Sequence, residues 1–598
     1  MKKKYSKNKL ILFLVILFLF TFLFGKNLNT NDFSIDISTS SVANLNNWVY
    51  WQYYDGKSGN APNGSSGGRY TENEIGAIYM DGFIWGGYVQ DSDPDLRVGG
   101  CTYNVGTQPG WIIQNGDSLT SPSINDSTVR IYRYRNDIFS VYDEEFKKDV
   151  GDLYDISDNE VTQEQIETVK NQYIKDLEHW PVERGAPYYD RNRNGKWDSD
   201  YDEPGILDAD QVLWYVVNDL NEIRTSNLSG SAPIGLELQI TIWNYKYTKK
   251  ALGQTIYKRY RLINKSEYEI DSMFVGQFAD IDLGDDYSGC DSALEMGYCY
   301  NSDNYDGIFA EYGLAPAAVA YTLLQGPVVE SHTDTAITNS KYLYDEKNLP
   351  MVSFWYKATG MSCGDPISAD YEGTINLYRI LNGFKPCNGE PFIHWSGPNK
   401  GQETKFKVNG DPVTGTGDLD GEGDNFQAGE RRFYISSGPF NMAAGDTQDV
   451  IIAIVGGLAE DNIASFSEMR ENVKLIRDAF KDRVNYIPPE GSIKQNPQFE
   501  QKLKEINFFL LGNNWPNPFN AETTIKFKLF SKKEVSLVIY NILGEKIKVI
   551  YQGEQGIGEY FYNWNGLDEN NREVSSGIYF AVLSDGLQIQ TKKIVLMK

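Results

Sequence analysis

Histidine, cysteine and basic charge are all scarce in this 598-residue chain, and each scarcity removes a class of function. The three histidines, His179, His332 and His394, form no HExxH pair, so a zinc protease of that type has no ligands. No GxSxG elbow precedes a helix, which speaks against an α/β-hydrolase. Neither GxGxxG nor a phosphate loop appears, so nucleotide chemistry has no support. Lys and Arg number 56 against 82 Asp and Glu, a formal charge of −26. A nucleic-acid backbone needs clustered cations, so no nucleic-acid partner is expected. The five cysteines, Cys101, Cys290, Cys299, Cys363 and Cys387, show no CxxC metal spacing. Their odd number leaves at least one thiol unpaired. Cys290 with Cys299 and Cys363 with Cys387 are the nearest pairs in sequence, and small buried thiols are the alternative to disulfides.

Long apolar runs are equally rare. MKKKYSKNK carries five lysines and is followed by the uncharged LILFLVILFLFTFLF, Leu10 to Phe24. That is the charged and apolar pair of regions of an export signal, cut near Gly25. Its 15 residues fall short of the roughly 20 that span a bilayer as a helix. An uncleaved anchor is the rival, because TFLFGKN lacks a clean small-x-small site. No cysteine follows the run, which excludes a lipoprotein anchor, and no membrane span is expected in the mature chain.

What the chain has is aromatic and β-forming. Hydrophobic residues make up 41% and aromatics 14%, enough to fill real cores, and the length predicts two to four domains. Residues 1–25 read as the signal, 26–45 as a polar leader without structure, 46–485 as a β-rich body, 486–507 as a proline-containing linker, and 508–598 as a separate small domain. In the body, GAIYMDGFIWGGYV (76–89) reads as two short strands split by a tight turn at Asp81-Gly82. LELQITIWNYKYT alternates, with Leu238, Ile240 and Ile242 on one face and Gln239, Thr241 and Trp243 on the other. TIYKRYRLINKS repeats the alternation through Ile256, Tyr260 and Leu262, so the pair predicts two adjacent strands of a half-buried sheet. RRFYISSGPF and DVIIAIVGG give two more, the second apolar on both faces and therefore central. Helices are expected over 158–180, through Val161, Ile166, Val169 and Tyr173, and over 465–480, where Phe466, Met469, Val473, Ile476 and Phe480 form a stripe that lies on a sheet.

The best chemical motif is DRNRNGKWDSDYDEPG, 190–205. Asp190, Asn192, Asn194 and Asp198 fall at positions 1, 3, 5 and 9 of a calcium loop, Gly195 takes the sharp turn at position 6, and Lys196 lends its carbonyl. Position 12 is Tyr201 rather than the bidentate Glu, with Asp200, Asp202 or Glu203 as substitutes. A structural calcium is expected; an acidic loop closed by Asx-turns is the plainer reading. Two further acidic clusters, Asp280, Asp282, Asp285, Asp286 and Asp291, then Asp418, Asp420, Glu422, Asp424 and Glu430, lack fixed ligand spacing and read first as solvated loops.

Short strands return after the linker: Ile525, Phe527 and Leu529 alternate, as do Val535, Leu537 and Ile539, and Tyr560, Tyr562 and Trp564. Six or seven strands make a small Ig-like sandwich. WPNPFNAETTIKF, VSLVIYNILGEKI, NWNGLDENNREVSSGIYF and the terminal KKIVLMK, in that order, resemble the type A C-terminal sorting domain of cargo exported by the type IX secretion system of Bacteroidetes and related phyla. The resemblance covers about residues 508–598. It implies crossing of the inner membrane, outer-membrane translocation by the type IX machinery, and commonly removal of the domain as the cargo is released or attached at the surface. In the body, GGRYTENEIGAIYMDGFIWGG, RVGGCTYNVGTQPGW, GAPYYDRNRNGKWDSDYDEPG and SSGPFNMAAGDTQDVIIAIVGG resemble uncharacterised exported proteins of the same group, which brings no activity.

The expected fold is mainly β: a large, β-sandwich-rich body with a few helices, then the small Ig-like sandwich. The expected protein is secreted or held at the cell surface, a non-catalytic component binding a polysaccharide or a surface protein, with structural calcium. Two alternatives stay open. One is a secreted polysaccharide hydrolase, whose two carboxylates need a separation that sequence does not reveal; the other is a self-assembling surface-layer or filament subunit.

Overall fold

The computed structural model describes residues 37–597 except 91, 117, 191–193, 200–201, 207–208, 248–250, 339–340, 424–425, 487–508, 513, 530–532, 543, 557 and 586–588. The expected signal and most of the expected linker lie outside the described residues. The chain separates into two compact units, Met1–Val484 and Asn485–Lys598.

The first unit is built on two antiparallel sheets. One runs Ser40–Ala43, Trp48–Tyr53, Gly68–Tyr70, Ile75–Val89, Ile270–Ile281, Arg431–Met442, Met351–Ala358, with Leu96–Gly100 also paired to Ile75–Val89. The other runs Asp286–Asp291, Met296–Asn301, Ala318–Gln325, Thr447–Gly457, Thr255–Asn264, Leu236–Asn244, Gln211–Asn218, Gln108–Pro109, with Tyr132–Arg135 also on Gln211–Asn218. Thr447–Gly457 is central, as its two apolar faces predict. It follows Arg431–Met442 closely in sequence yet belongs to the opposite sheet.

Alternation explains how the sheets stack. Leu238, Ile240, Ile242, Ile256, Tyr260 and Leu262 of the second sheet share one core with Phe83, Trp85, Val275, Phe433 and Ile435 of the first. The expectation of a half-buried sheet is overturned, because the reverse face is also covered. Trp243 stacks on Tyr257 (5.1 Å between ring centroids) in a core that includes Phe466, Met469, Val473 and Ile476 of the helix Asn462–Tyr486. The first sheet is covered on its outer face too, where Leu377, Ile380 and Leu381 of the helix Tyr371–Leu381 meet Phe274, Phe278, Trp355 and Tyr434. The helix expected over 158–180 spans Gln163–Glu178; it packs Ile166, Val169 and Tyr173 with a second helix, Asp143–Tyr154, over Val42 and Trp51.

Two local readings change. Ser40–Ala43, assigned by composition to an unstructured leader, is a strand paired with Trp48–Tyr53, and its Val42 and Ala43 are buried. Asp81-Gly82 is not a hairpin turn: Ile75–Val89 is one continuous strand, with Asp81 opposite Ala279 of the next strand. Gly82 serves close approach instead, since a Cβ there would sit 2.3 Å from the Cys101 carbonyl oxygen. Asp81 is buried because it meets a lysine inside the sandwich. Of the nearest cysteine pairs, Cys363–Cys387 is a disulfide with Cα atoms 5.6 Å apart, while Cys101, Cys290 and Cys299 are buried free thiols.

The second unit is the expected small sandwich. Phe509–Leu511, Thr523–Leu529 and Gly558–Trp564 form one sheet, and Lys546–Gln555, Lys533–Asn541, Gly577–Ser584 and Ile589–Leu596 the other. Ile525, Phe527, Leu529, Val535, Leu537, Ile539 and Trp564 meet between them, the phase that the alternation predicts.

Candidate functional site

The acidic loop 190–203 is a hairpin tip. Tyr188–Tyr189 pairs antiparallel with Glu203–Pro204, which brings the two ends of the loop together. Trp197 folds back edge-on against Tyr188, 5.6 Å between rings. Both carboxylate oxygens of Asp190 accept backbone N–H groups, from Asn194 at 3.1 Å and Gly195 at 2.7 Å, and Gly195 adopts the positive φ of +72° that the sharp turn requires. Asn194 Oδ1 accepts the Lys196 N–H at 2.7 Å, and Asp202 Oδ2 accepts the Asp198 N–H at 2.8 Å. Asp202 and Glu203 are buried. The loop thus gathers Asp190, Asn194, Asp198, Asp202 and Glu203 on one short turn; Asn192 and Asp200 lie outside the described residues. An oxygen-only donor set of carboxylates and amides fits a hard cation such as calcium. No group of three or more His, Cys, Asp or Glu side chains among the described residues is itself arranged to hold a metal, so amide and carbonyl oxygens would have to complete the shell.

The other acidic clusters are largely tied into the body. Asp418 accepts the Trp395 and Ser396 N–H groups and lies 2.6 Å from His394 Nδ1. Asp420 pairs with the buried Arg431 at 2.6 Å and accepts the Tyr356 hydroxyl at 3.0 Å. Asp280 accepts the Tyr103 hydroxyl at 2.8 Å; burial pushes its carboxyl up to about 7, with Tyr103 and Arg432 opposing. Asp291 closes a turn onto the Ala293 and Leu294 N–H groups. Asp424 lies outside the described residues.

The body also presents an exposed aromatic edge. Asp306 caps the short helix Gly307–Glu311 through the Ile308 and Phe309 N–H groups, and Phe309 is buried as its anchor. That leaves Tyr305, Ile308 and Tyr312 on the surface, 70%, 56% and 52% exposed. Sequence reading passed over this edge because aromatics abound in the chain; the signal was three apolar residues around a capping Asp in the polar segment NSDNYDGIFAEYG.

In the C-terminal unit the motif WPNPFN acts as a clasp. Trp515 exchanges both backbone hydrogen bonds with Thr524, at 3.0 and 2.9 Å, and Asn514 Nδ2 donates to Thr523 Oγ1 at 2.8 Å. Asn517 binds the last strand twice, accepting the Val595 N–H and donating to the Lys593 carbonyl. Phe519 N–H donates to the Val595 carbonyl, and its ring packs on Trp564, 5.4 Å between centroids. The start of the unit is thereby fastened to its end, which accounts for motifs at both extremes of the sequence.

Residues 513–597 match the family described as secretion system C-terminal sorting domain. No curated protein matches the chain. Among solved structures, a polysaccharide lyase is similar at 7% identity over 60% of this chain and 34% of its own, with a TM-score of 0.13. A family 92 inverting mannosidase from Bacteroides thetaiotaomicron is similar at 9% identity over 60% and 35%, with a TM-score of 0.17. PorZ, a surface component of the type IX secretion system of Porphyromonas gingivalis, is similar at 10% identity over 69% and 47%, with a TM-score of 0.12. The chain spans about a third of the length of the first and second of these, and likenesses this slight carry no argument about activity. Among the described residues no helix is long and apolar enough to cross a membrane. The match of residues 513–597 supports a type IX secretion cargo protein with a type A C-terminal sorting domain, exported to the cell surface or secreted.

Proposed function

We propose that the body is a non-catalytic binding module that the type IX system delivers to the cell surface, where it holds a polysaccharide or another surface protein, with calcium bracing the 190–203 hairpin. The observation that carries the binding reading is the exposure of Tyr305, Ile308 and Tyr312 around a capped, anchored turn. Aromatic rings held in water on a turn that Phe309 anchors are suited to stacking on sugar faces or on a partner's apolar surface. The calcium reading is supported by the oxygen-bearing residues Asp190, Asn194, Asp198, Asp202 and Glu203 that the hairpin carries at calcium-loop spacing.

Co-sedimentation of the full-length protein with a panel of insoluble polysaccharides, with calcium and with chelator, tests this reading while the supernatant is assayed for released sugar. Binding without release, lost in a Tyr305→Ala/Tyr312→Ala double variant, is the expected result. Release of sugar would replace the binder with a hydrolase, and failure to bind any polymer would move the partner to protein.

A further inference from the structure

We infer that Lys258 and Asp81 condense into an intramolecular isopeptide bond that joins the two sheets of the body covalently. Asp81 belongs to Ile75–Val89 in one sheet and Lys258 to Thr255–Asn264 in the other, and both are almost wholly removed from solvent. Lys258 Nζ lies 3.0 Å from Asp81 Oδ1, 3.0 Å from the Tyr50 hydroxyl and 3.0 Å from Ser58 Oγ. Oδ1 also accepts the Ser58 hydroxyl, and Oδ2 accepts the hydroxyls of Tyr50 and of Tyr321, the latter at 2.6 Å. The rings of Tyr50 and Tyr260 wall the ammonium, 5.2 and 5.4 Å from their centroids.

This is an amine beside a carboxyl, in a dry core, with hydroxyl donors on both carboxylate oxygens. Burial pulls Lys258 below the ordinary ammonium value, with Asp81 opposing. One proton moving from Nζ to Oδ1 across their hydrogen bond gives the neutral amine and acid that the addition requires. The Nζ lone pair then adds to Asp81 Cγ. The negative charge that develops on Oδ2 meets the hydroxyls of Tyr50 and Tyr321. A second proton passes from Nζ to Oδ1 through Ser58, which is hydrogen-bonded to both atoms. The Cγ–Oδ1 bond breaks and its electron pair leaves with the oxygen as water. The balance is ammonium plus carboxylate giving amide plus water, with no oxidant or co-reactant. Fixed proximity supplies the effective concentration, and exclusion of bulk water protects the product.

The intact mass of the full-length protein, denatured and with the Cys363–Cys387 disulfide reduced, tests the proposal. The expected value is one water below that of the sequence between its observed termini, and a proteolytic digest should contain one branched peptide carrying both Asp81 and Lys258. Lys258→Arg, whose guanidinium does not acylate, should restore the full mass. Tyr321→Phe, which keeps both reacting groups but removes a donor to Oδ2, should slow the mass loss after synthesis. Full sequence mass in the wild-type protein overturns the proposal, as does a water lost elsewhere, for example at a succinimide. Both readings hold even where a variant fails to fold.

Discussion

The two sandwiches of this protein seal their interiors differently. In the sorting domain the buried side chains among the described residues are apolar except Asn514 and Thr523, which hydrogen-bond each other at 2.8 Å. In the body several charges are internal and matched: Asp81 with Lys258, Asp149 with Arg133 and Arg135, Asp420 with Arg431, and Asp449 with Arg259. Burial opposes ionisation of Asp149, yet Arg133 and Arg135 hold its carboxyl below the usual range. A small core can be specified by shape and alternation alone. The body has two broad sheets, each covered on both faces, and apolar surfaces of that extent can slide past one another. Of these pairs only Asp81 with Lys258 joins one sheet to the other, and a pair satisfied in one register only would restrict that freedom.

The comparison breaks most visibly if a body charge is removed. Asp81→Ala leaves the Lys258 ammonium buried without its carboxylate, and even without a covalent link the loss should be about 3–5 kcal/mol. Denaturant titration of the body should show it; a loss below about 1 kcal/mol would mean that water enters or that the lysine is already neutral. The matching test in the sorting domain is Leu537→Ala. It removes fully buried apolar volume and should cost about 2–5 kcal/mol, confined to that unit's own unfolding transition. Export should fall with it, measured as retention in the periplasm.

The same contrast governs what the sequence made legible. The sorting-domain strands Thr523–Leu529 and Lys533–Asn541 were readable, because Ile525, Phe527, Leu529, Val535, Leu537 and Ile539 keep strict alternation and point into one core, whereas Phe509–Leu511 and Lys546–Gln555 were not singled out. In the body the alternation placed Leu238, Ile240 and Ile256 correctly but misjudged their strands' reverse faces. Trp243 and Tyr257 look equally plausible in water and under a helix. Asp81-Gly82 was misread because that dipeptide favours turns, and nothing local says that a lysine 177 residues later will bury the acid. A signal did exist on the partner strand: Lys258 falls in the apolar phase between Ile256 and Tyr260, where a charge must be paired inside. The 190–203 loop was legible as a motif, since its spacing is local, and the calcium it would hold is a proposal. The aromatic edge at Tyr305–Tyr312 was not, because exposure depends on what the rest of the chain fails to cover.

Titration sharpens the comparison further. Asp280 in the body has its carboxyl raised by burial from the ordinary 3.8 to about 7. Between those values the folded state holds a proton that the unfolded chain has lost, so stability falls as pH rises through that window. Asp280→Asn keeps an acceptor for the Tyr103 hydroxyl and cannot ionise. It should therefore be more stable than the parent by about 2–4 kcal/mol at pH 8, with the difference closing towards pH 4. Parallel pH profiles for the two proteins would show that Asp280 is solvated.

Calcium offers the gentlest perturbation and the one that separates an internal charge from a surface one. Asp190, Asn194 and Asp198 stand at the exposed tip of a hairpin, where Asp190 already satisfies the Asn194 and Gly195 N–H groups through its own carboxylate. A cation there would gather oxygens that face water, so its removal should loosen the tip and leave the sandwich intact. At ten times its Kd the ion stabilises by about 1.4 kcal/mol, a shift of about 1–2 degrees in the body's Tm that chelator reverses and Asp190→Ala abolishes. The sorting domain's transition should not move in the same scan. If both transitions shift together, the ion acts through general charge screening of an acidic protein. If neither moves, the Asx-turn hydrogen bonds of Asp190 are sufficient to hold the loop.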